Sequence, residues 1–335
     1  MRAVRFHGVG DLRVEDVPAP AAPGTGEVRL RVCAAGICGS DLHNFKTGQW
    51  ISRLPVTPGH EFAAEVLDVG AGVTGLKVGD LVVADSRAPC GRCENCLSGR
   101  HNLCVALGYV GEVCDGGFAE QVTLRAGQLL TVDPHLPAEV AALAEPLGVA
   151  LHVIRRLDPA KGEPVLVAGA GPVGGLVTLL LDHLGFGPVL FAERQQTRRD
   201  LISGVCEARA VELEPDAVRE ALGGRPLRYA VEATGHGAVL DRLTGLVGAG
   251  ARIAMVGIFH GRTEIDANAI VEREIELRGC SVFADEQREA VALLPALAPK
   301  LRQLVSTPIA LEDVPSAYRD LLEGRAPALK TIIKP

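Results

Sequence analysis

Residues 165–174 read V-L-V-A-G-A-G-P-V-G, and the organisation of the second half of the chain can be worked out from them. The first four are apolar, as in a short buried strand, and lead directly into Gly169, Gly171 and Gly174. Val173–Leu184 has the length and spacing of a helix. This context favours a dinucleotide-binding motif over an ordinary glycine-rich turn, because the glycines let the backbone approach a pyrophosphate at the helix N-terminus.

The chain after Glu145 alternates strand-like with helix-like segments. Apolar runs at Val189–Ala192, Tyr229–Val231 and Arg252–Val256 are each followed by glycine or a polar turn. This alternation predicts an α/β architecture with a doubly wound parallel sheet and right-handed crossovers.

The first third of the chain is rich in β-branched runs separated by Gly and Pro. Val28–Val32 alternates strictly between apolar and polar residues, and Glu61–Val69 and Leu81–Ala84 are similar. Many short strands with such turns predict a β-rich, barrel-like domain. The helices predicted after Cys280 end in a strand at Leu329–Ile333, which we expect to return to this first domain.

The composition excludes several classes of partner. The 34 basic and 41 acidic residues give a net charge of −7 without a Lys/Arg block, so nucleic acid and anionic membrane surfaces are not expected partners. Met1–Arg5 lacks the apolar region of a secretory signal, and the longest charge-free apolar stretch, Val165–Leu181, is short for a bilayer span. Nine cysteines, four of them within fifteen residues, predict metal binding in a reducing cytoplasm instead of a disulfide framework.

Four cysteines follow the pattern C-x2-C-x2-C-x7-C: Cys90, Cys93, Cys96 and Cys104. Thiolates at this spacing can close a tetrahedral sulfur shell around zinc from a single loop. Four free surface thiols are the alternative. Because a closed shell leaves no open position, the zinc predicted here is structural.

A second set of metal-ligand types comes from segments far apart in the sequence: Cys38, the pair His60-Glu61, and Glu145. Each alone is a weak signal, since a lone buried Cys or His is more often a core residue. Together they offer sulfur, nitrogen and carboxylate oxygen, the mixture typical of a catalytic zinc with a replaceable fourth ligand. With the glycine motif, they indicate metal-assisted hydride transfer to a nicotinamide.

In combination these motifs resemble those of the zinc-dependent medium-chain dehydrogenases (the alcohol dehydrogenase superfamily), on the branch of the polyol (sorbitol) and threonine dehydrogenases. The resemblance covers essentially the whole length. It rests on the cysteine cluster and on G-I-C-G-S-D-L-H at 36–43, G-H-E at 59–61, E-P-L at 145–147 and G-A-G-P-V-G at 169–174.

At 335 residues the chain is too long for one ordinary core, so two domains are expected. The resemblance implies a GroES-like β-barrel catalytic domain of residues 1–148 plus 283–335, with a structural-zinc lobe at about 88–106. A Rossmann NAD-binding domain would occupy residues 149–282.

By the same resemblance, Cys38 and His60 match zinc ligands of the family. Glu61 and Glu145 match two carboxylates, of which one binds the metal directly and the other through water or in exchange. The sequence leaves open which is which. Two zinc ions per subunit are therefore expected, one catalytic and one structural.

Ser40 and His43 match the family's proton relay. The chemistry fits, since a hydroxyl can pass a proton on and His can accept it near neutral pH. Ser40 as the N-cap of a helix beginning at Asp41 is a compatible alternative. Asp41 itself is interpreted as a structural hydrogen-bonding residue next to the metal ligands.

Glu193 ends the strand after the glycine motif, 22 residues beyond Gly171. A carboxylate there can accept hydrogen bonds from the adenosine ribose and would repel a 2′-phosphate, which favours NAD over NADP. Neighbouring arginines leave NADP open, because an Arg can bind that phosphate. The residues expected to contact the cofactor are Gly169, Gly171, Pro172, Val173, Gly174, Glu193, Arg194, Arg198, Thr234, Val256, Gly257 and Ile258. The last four could instead form ordinary strand-end turns.

The resemblance places a substrate pocket near Gly279 and near Phe45, Trp50, Tyr109 and Phe118. Sorbitol-type members carry an Arg-Tyr pair where this chain has Val282 and Phe283. The missing Arg weakens sorbitol and threonine as substrates and favours a less polar secondary alcohol, a cyclic polyol or a diol. Polar contacts could come from Asn44, Gln49, Glu112 and Cys114. Phe45 and Trp50 could also be core residues at a domain interface.

The predicted function is that of a zinc-dependent, NAD(P)-linked oxidoreductase that interconverts a secondary alcohol or polyol and its ketone. A ketone reductase of a biosynthetic pathway uses the same chemistry in reverse, and a non-catalytic nucleotide-binding relative is a further alternative. A homo-oligomer is expected, with a tetramer favoured over a dimer.

Overall fold

The structure of the protein is a computed structural model that describes residues Met1–Pro335. The chain forms two compact units, one of Met1–Glu145 with Gln287–Pro335 and one of Pro146–Glu286. The boundaries at 148/149 and 282/283, which the family resemblance implies, stay a prediction. None of the helices combines the length and hydrophobicity that a membrane crossing requires.

In chain order the strands are β1 (Arg2–Gly8), β2 (Asp11–Asp16), β3 (Glu27–Gly36), β4 (Glu61–Val69), β5 (Leu81–Ala84), β6 (Arg87–Ala88), β7 (Gly108–Tyr109), β8 (Gln121–Arg125), β9 (Leu129–Thr131), β10 (Val165–Ala168), β11 (Val189–Ala192), β12 (Arg209–Ala210), β13 (Tyr229–Glu232), β14 (Arg252–Met255), β15 (Glu276–Gly279) and β16 (Ile332–Ile333). The helices are α1 (Gly39–Thr47), α2 (Glu94–Leu97), α3 (Ala138–Ala141), α4 (Ala144–Leu157), α5 (Pro172–His183), α6 (Gln196–Ser203), α7 (Pro215–Ala221), α8 (Gly237–Leu246), α9 (Ala267–Glu272), α10 (Gln287–Leu301) and α11 (Val314–Leu322).

The first unit is built around an antiparallel sheet in the order β16-β3-β4-β5-β9, with β8 also paired to β3. In β3, Val28, Leu30 and Val32 are buried and the intervening residues are more exposed, as the alternation predicted. The apolar faces enclose a core that includes Phe62 and Tyr318.

The last strand is shorter than the sequence predicted. The expectation was Leu329–Ile333, but β16 covers only Ile332–Ile333. The backbone N–H groups of Leu329 and Lys330 both donate to the carbonyl of Leu304, so this part of the chain does not join the β3 ladder.

The second unit contains a parallel sheet in the order β12-β11-β10-β13-β14-β15. With β10 as the first strand, this is the order 3-2-1-4-5-6 of dinucleotide-binding folds. The direction of winding reverses between β10 and β13, and ligands of such sheets bind beyond the carboxyl ends of the strands at that point. The glycine motif begins there, directly after β10.

Candidate functional site

Three of the four residues predicted for the mixed metal site come together in the first unit. The pairing of β3 with β4 sets Gly36 opposite Glu61, so Cys38, just beyond β3, meets His60 and Glu61 at the start of β4. The ligand atoms of these three side chains lie within 4.8 Å of one another, and His60 and Glu61 are buried. Sulfur, imidazole nitrogen and carboxylate oxygen are a donor set that suits zinc.

Asp41 contacts two members of this trio, His60 and Cys38. Its Oδ1 lies 3.6 Å from His60 Nδ1, and its Oδ2 accepts a 2.8 Å hydrogen bond from the backbone N–H of Cys38. Burial opposes a charge on His60, but the negative charges of Asp41 and Cys38 raise the pKa of His60 well above its usual value. Surroundings that favour a proton on this imidazole also favour a divalent cation.

Glu145, the fourth predicted residue, is not part of the trio. It is buried on α4, and its Oε1 accepts a 2.8 Å hydrogen bond from Ser86. Burial raises the pKa of Glu145 to about 7, although the charge of His60 acts in the opposite direction. The charge of His60 therefore acts on the carboxylate of Glu145, but the hydrogen bond of that carboxylate is with Ser86 and not with the trio.

Lys330 is a buried cation that the sequence interpretation missed. Its Nζ lies 2.7 and 2.6 Å from the two carboxylate oxygens of Glu61 and 3.3 Å from the carbonyl of Ile37. The charge of Glu61 raises the pKa of Lys330 in spite of its burial. A lysine inside the apolar run A-L-K-T-I-I was the available signal, since Lys is seldom buried without a partner.

The two relay candidates lie on α1, close to the trio. Ser40 Oγ is 3.4 Å from His60 Nε2. His43 Nε2 is 2.8 Å from Gln49 Oε1, and its ring lies against the indole of Trp50 with 4.3 Å between centroids. Ser40 is therefore at the metal end of the helix, and His43 lies one turn along it.

The N-cap alternative for Ser40 is wrong. Helix α1 begins at Gly39, with Cys38 as its N-cap residue, instead of at Asp41. The carboxylate of Asp41 binds the N–H of Cys38, which leaves the hydroxyl of Ser40 free for other contacts.

The four-cysteine cluster folds into one compact group around α2. The Sγ atoms of Cys90, Cys93, Cys96 and Cys104 lie within 4.8 Å of one another, and a zinc–sulfur tetrahedron has edges of about 3.8 Å. Backbone N–H groups lower the pKa of Cys93 to about 6, whereas burial raises that of Cys96 to about 12. The N–H groups of Cys90 and Ala106 point at Cys104 Sγ. The donors fit a zinc ion.

The glycine motif fits a dinucleotide for steric reasons. Gly169 has a φ of +93°, and a Cβ on Gly174 would lie 1.9 Å from the carbonyl oxygen of Gly169. A Cβ on Gly171 would meet only Arg198 Nη1, at 3.7 Å. The space above Gly171 and the N-terminus of α5, which begins at Pro172, is thus open to a pyrophosphate.

Glu193 is fixed beside that turn. Its oxygens accept hydrogen bonds of 3.0 Å from the backbone N–H groups of Ala170 and Gln195. Arg198 Nη1 is 3.9 Å from the carboxylate, whereas Arg194 is exposed. A carboxylate anchored in this way is suited to accept hydrogen bonds from ribose hydroxyls.

The loops after β13 and β14 are held together by a residue not singled out from the sequence. Glu232, fully buried at the end of β13, accepts hydrogen bonds from the N–H groups of Thr234 and Gly235. A Cβ on Gly257 would lie 2.1 Å from the nitrogen of Gly235, so the segment 256–258 packs tightly against the first loop. The backbone of the predicted cofactor residues there is held by these hydrogen bonds and close contacts.

The predicted substrate pocket needs correction. Phe118 and Phe283 are fully buried, so no solvent-sized ligand reaches their side chains in this structure. Phe118 packs in the core of the first unit, and Phe45 lies partly buried against the same core. Trp50 is 38% exposed, and Phe45, Tyr109 and Val282 are each partly exposed, so these four stay predictions for the pocket.

Both units match families of known proteins. Residues 24–134 match the model of the alcohol dehydrogenase GroES-like domain, and residues 172–296 match that of the zinc-binding dehydrogenases. The (R,R)-butanediol dehydrogenase of Neisseria gonorrhoeae is 31% identical, with 100% of this chain and 99% of that protein covered. An L-threonine 3-dehydrogenase of Saccharopolyspora erythraea is 34% identical over 83% of each chain.

Solved structures similar to this chain belong to the same kind of enzyme as these relatives. A protein of Sinorhizobium meliloti described as a zinc-binding dehydrogenase bound to NADP has a TM-score of 0.90 at 30% identity, covering 100% of this chain and 99% of that one. An alcohol dehydrogenase of Escherichia coli complexed with NADH has a TM-score of 0.90 at 26% identity, with the same coverage. The chain belongs to the zinc-dependent medium-chain dehydrogenase family. The predicted fold class, family and enzyme class, an oxidoreductase of alcohols and ketones, are confirmed.

Proposed function

We propose that this protein oxidises a secondary alcohol, diol or cyclic polyol to the ketone, reversibly, with zinc and NAD. The observation that carries the proposal is the trio of Cys38, His60 and Glu61, with Ser40 and His43 on the helix that Cys38 caps. When bound by the trio, zinc would supply a positive charge that makes an alcohol more acidic.

The protein's own residues orient the site and move the proton. Asp41 holds the imidazole of His60 so that its Nε2 faces the side of Ser40. Ser40 Oγ is the first acceptor for the proton that the substrate hydroxyl loses. His43, whose ring is fixed by Gln49, is the next acceptor of that proton. The hydride itself goes to the nicotinamide.

Of the two carboxylates, we assign Glu61 as the direct metal ligand and Glu145 as the exchanging one. Glu61 shares the ligand cluster with Cys38 and His60. Glu145 is bonded to Ser86 and lies outside that cluster. X-ray absorption of the zinc-loaded protein should therefore change in its first shell for Glu61→Gln but not for Glu145→Gln.

NAD is the proposed cofactor, although solved relatives include one with NADP and one with NADH. The anchored carboxylate of Glu193 supports this, since it would lie where a 2′-phosphate must fit. Glu193→Ala with Arg194 retained should shift kcat/KM toward NADP. An unchanged preference would show that Glu193 does not select the cofactor.

A second, structural zinc is proposed for the four-cysteine cluster, which gives two zinc ions per subunit. Cys96→Ser should lower thermal stability or disturb subunit assembly and remove one zinc, without a matching loss in the chemical step. A variant with full zinc content and unchanged stability would contradict this role.

The location and the assembly of the protein are also proposals. None of the nine cysteines forms a disulfide, which suits a reducing cytoplasm. We propose a homotetramer, to be checked by light scattering of the purified protein.

The function is tested by following reduced-nicotinamide formation with acyclic and cyclic polyols, vicinal diols, simple secondary alcohols and L-threonine. Turnover of one alcohol class is expected. Silence across the panel, with zinc and NAD demonstrably bound, would favour the non-catalytic alternative.

A further inference from the structure

Asn44 and Glu112 form a buried hydrogen-bonded pair to which the proposed function assigns no role. Asn44 lies on α1 and Glu112 in the turn after β7, and the two residues are 5% and 6% exposed. Asn44 Nδ2 donates a 2.9 Å hydrogen bond to Glu112 Oε1. Burial costs both side chains their hydration, which the hydrogen bond offsets only in part. Packing alone therefore does not account for a polar pair at this place.

The pair holds the segment 48–52, which follows α1. Asn44 Oδ1 accepts a 3.1 Å hydrogen bond from the backbone N–H of Trp50, so the amide uses both its oxygen and its nitrogen. The backbone N–H of Ser52 donates to the carbonyl oxygen of Glu112 at 3.3 Å. Each member of the pair thus fixes one point on the path of this segment.

The segment carries two side chains that contact His43, the outer member of the proposed proton relay. His43 Nε2 lies 2.8 Å from Gln49 Oε1. An amide oxygen can only accept, so Nε2 carries the hydrogen and the lone pair of the neutral ring is on Nδ1. The indole of Trp50 lies 4.3 Å from the imidazole between centroids, at an angle of 30°. Together these contacts restrict the rotation of the imidazole ring.

Exposure shows where the relay reaches the surface. His43 is 6% exposed, whereas Trp50 is 38% exposed and Gln49 is also exposed. The indole therefore shields one face of the imidazole from solvent. A segment that moved away from α1 would remove this cover and the hydrogen bond to Nε2 at the same time.

The hydrogen bond within the pair can form in either protonation state of Glu112. Burial raises the pKa of Glu112 to about 7, while the charge of His60 and the hydrogen bond from Asn44 act in the opposite direction. A carboxylate and a protonated carboxyl group both keep an oxygen that accepts from Asn44 Nδ2. Glu112→Gln keeps such an oxygen too, so it is a conservative variant for testing the pair.

We propose that Asn44 and Glu112 are positioning residues for proton transfer. They hold the segment 48–52 against α1, and its side chains keep the imidazole of His43 in place to accept the relayed proton. Neither residue belongs to the cluster of metal ligands, so the effect of the pair on the reaction passes through His43. This rests on the proposed function, in which that imidazole accepts the proton that the substrate hydroxyl loses.

The first test uses fluorescence, because Trp50 is the single tryptophan of the chain. Asn44→Ala removes both hydrogen bonds of the amide and should shift the emission of Trp50 to longer wavelength and raise its quenching by acrylamide. Glu112→Leu, which removes the acceptor oxygen, should change both quantities in the same direction. Glu112→Gln should stay close to wild type, as should the control Lys46→Gln, an exposed position on α1. Melting temperature and zinc content show that each variant is folded.

The second test measures proton transfer with the alcohol that wild type oxidises best. Asn44→Ala should lower kcat about 3–10-fold, leave KM nearly unchanged and increase the solvent deuterium isotope effect on kcat. Gln49→Leu, at an exposed position, should lower kcat to a similar extent. Because both substitutions act through His43, the double variant should be no slower than the slower single one.

Two results would overturn the proposal while leaving the proposed function intact. One is a folded Asn44→Ala or Glu112→Leu protein with the fluorescence of wild type, because the pair would then not hold the segment. The other is a changed fluorescence with wild-type kcat and isotope effect, because the segment would then not position His43. If the proposed function itself is wrong, wild type oxidises no alcohol, whereas the fluorescence difference between Asn44→Ala and Glu112→Gln is still measurable.

Discussion

Replacing Lys330 with Met should strongly destabilise the metal-free protein. The ammonium lies 2.7 and 2.6 Å from the two oxygens of Glu61, and the side chains are 3% and 1% exposed. Removing one partner leaves a buried charge without compensation, which costs about 3–5 kcal/mol. For a chain of this size the melting temperature should fall by roughly 6–20 °C.

Zinc should offset most of this loss, because a divalent cation beside Glu61 gives the carboxylate another counter-charge. The double variant Lys330→Met/Glu61→Gln should also recover most of the stability without metal, since a neutral amide is less costly to bury than an unpaired charge. The two residues should therefore show strongly non-additive effects.

The assay is thermal and urea unfolding of chelator-treated and zinc-reloaded proteins. Lys334→Met, an exposed lysine close by in the sequence, is the matched control and should stay within about 0.5 kcal/mol of wild type. If metal-free Lys330→Met is as stable as wild type, the reasoning that the carboxylate of Glu61 needs Lys330 as its partner is refuted.

Three further predictions concern other parts of the molecule. Burial favours a protonated Glu286, but a hydrogen bond with His152 and backbone N–H groups lower its pKa to about 2, from a usual 4.5. Because the pKa of Glu286 is lower in the folded state, the ionised carboxylate stabilises the fold above about pH 4.5, and this stabilisation is lost as the pH falls toward 2. Glu286→Gln should therefore cost about 1–2 kcal/mol of unfolding free energy at pH 7 and almost nothing at pH 2. Gly174→Ala should abolish NAD binding in calorimetric titration and lower the melting temperature, because the new Cβ would lie 1.9 Å from a carbonyl oxygen. The control Gly245→Ala places its Cβ where no atom lies within 4 Å, so it should be neutral or stabilising. Equal NAD affinity in the two variants would contradict this prediction. In zinc-free protein at pH 7, Cys93, with a pKa of about 6, should be the first cysteine of the cluster to be alkylated, and zinc should protect it. Mass spectrometry of the labelled protein measures this. Uniform labelling of the four cysteines would count against the prediction.

Local patterns predicted the secondary structure well where one physical cause dominated. Strands β4 and β5 match the expected Glu61–Val69 and Leu81–Ala84, and α5 begins and ends within one residue of the predicted helix. The start of the last strand was not predicted correctly, because the N–H groups just before β16 donate to the carbonyl of Leu304, which is distant in sequence. Such long-range competition leaves no trace in the alternation of side chains.

The candidate site could be predicted in its ligand types but not in its supporting contacts. Residue chemistry and spacing were enough to nominate the metal ligands, because few other roles require those groups together. The contact of Lys330 with Glu61 joins residues that are 269 positions apart in the sequence. The anchoring role of Glu232 depends on the backbone of a turn that only the folded sheet creates. Phe118, nominated for the pocket, proved to be core, because composition does not distinguish the inside of a barrel from a pocket wall.

The central claim is that the trio of Cys38, His60 and Glu61 holds the zinc that makes this chain an NAD-linked alcohol oxidoreductase. The most direct measurement follows NADH formation from the alcohol panel by zinc-loaded wild type and Cys38→Ser, with the zinc content of each determined. We expect turnover of a diol or polyol by wild type with about two zinc ions per subunit, and a Cys38→Ser protein that keeps about one zinc, remains folded and is inactive. Full activity in the one-zinc variant, or no turnover by wild type with zinc and NAD bound, would contradict the claim.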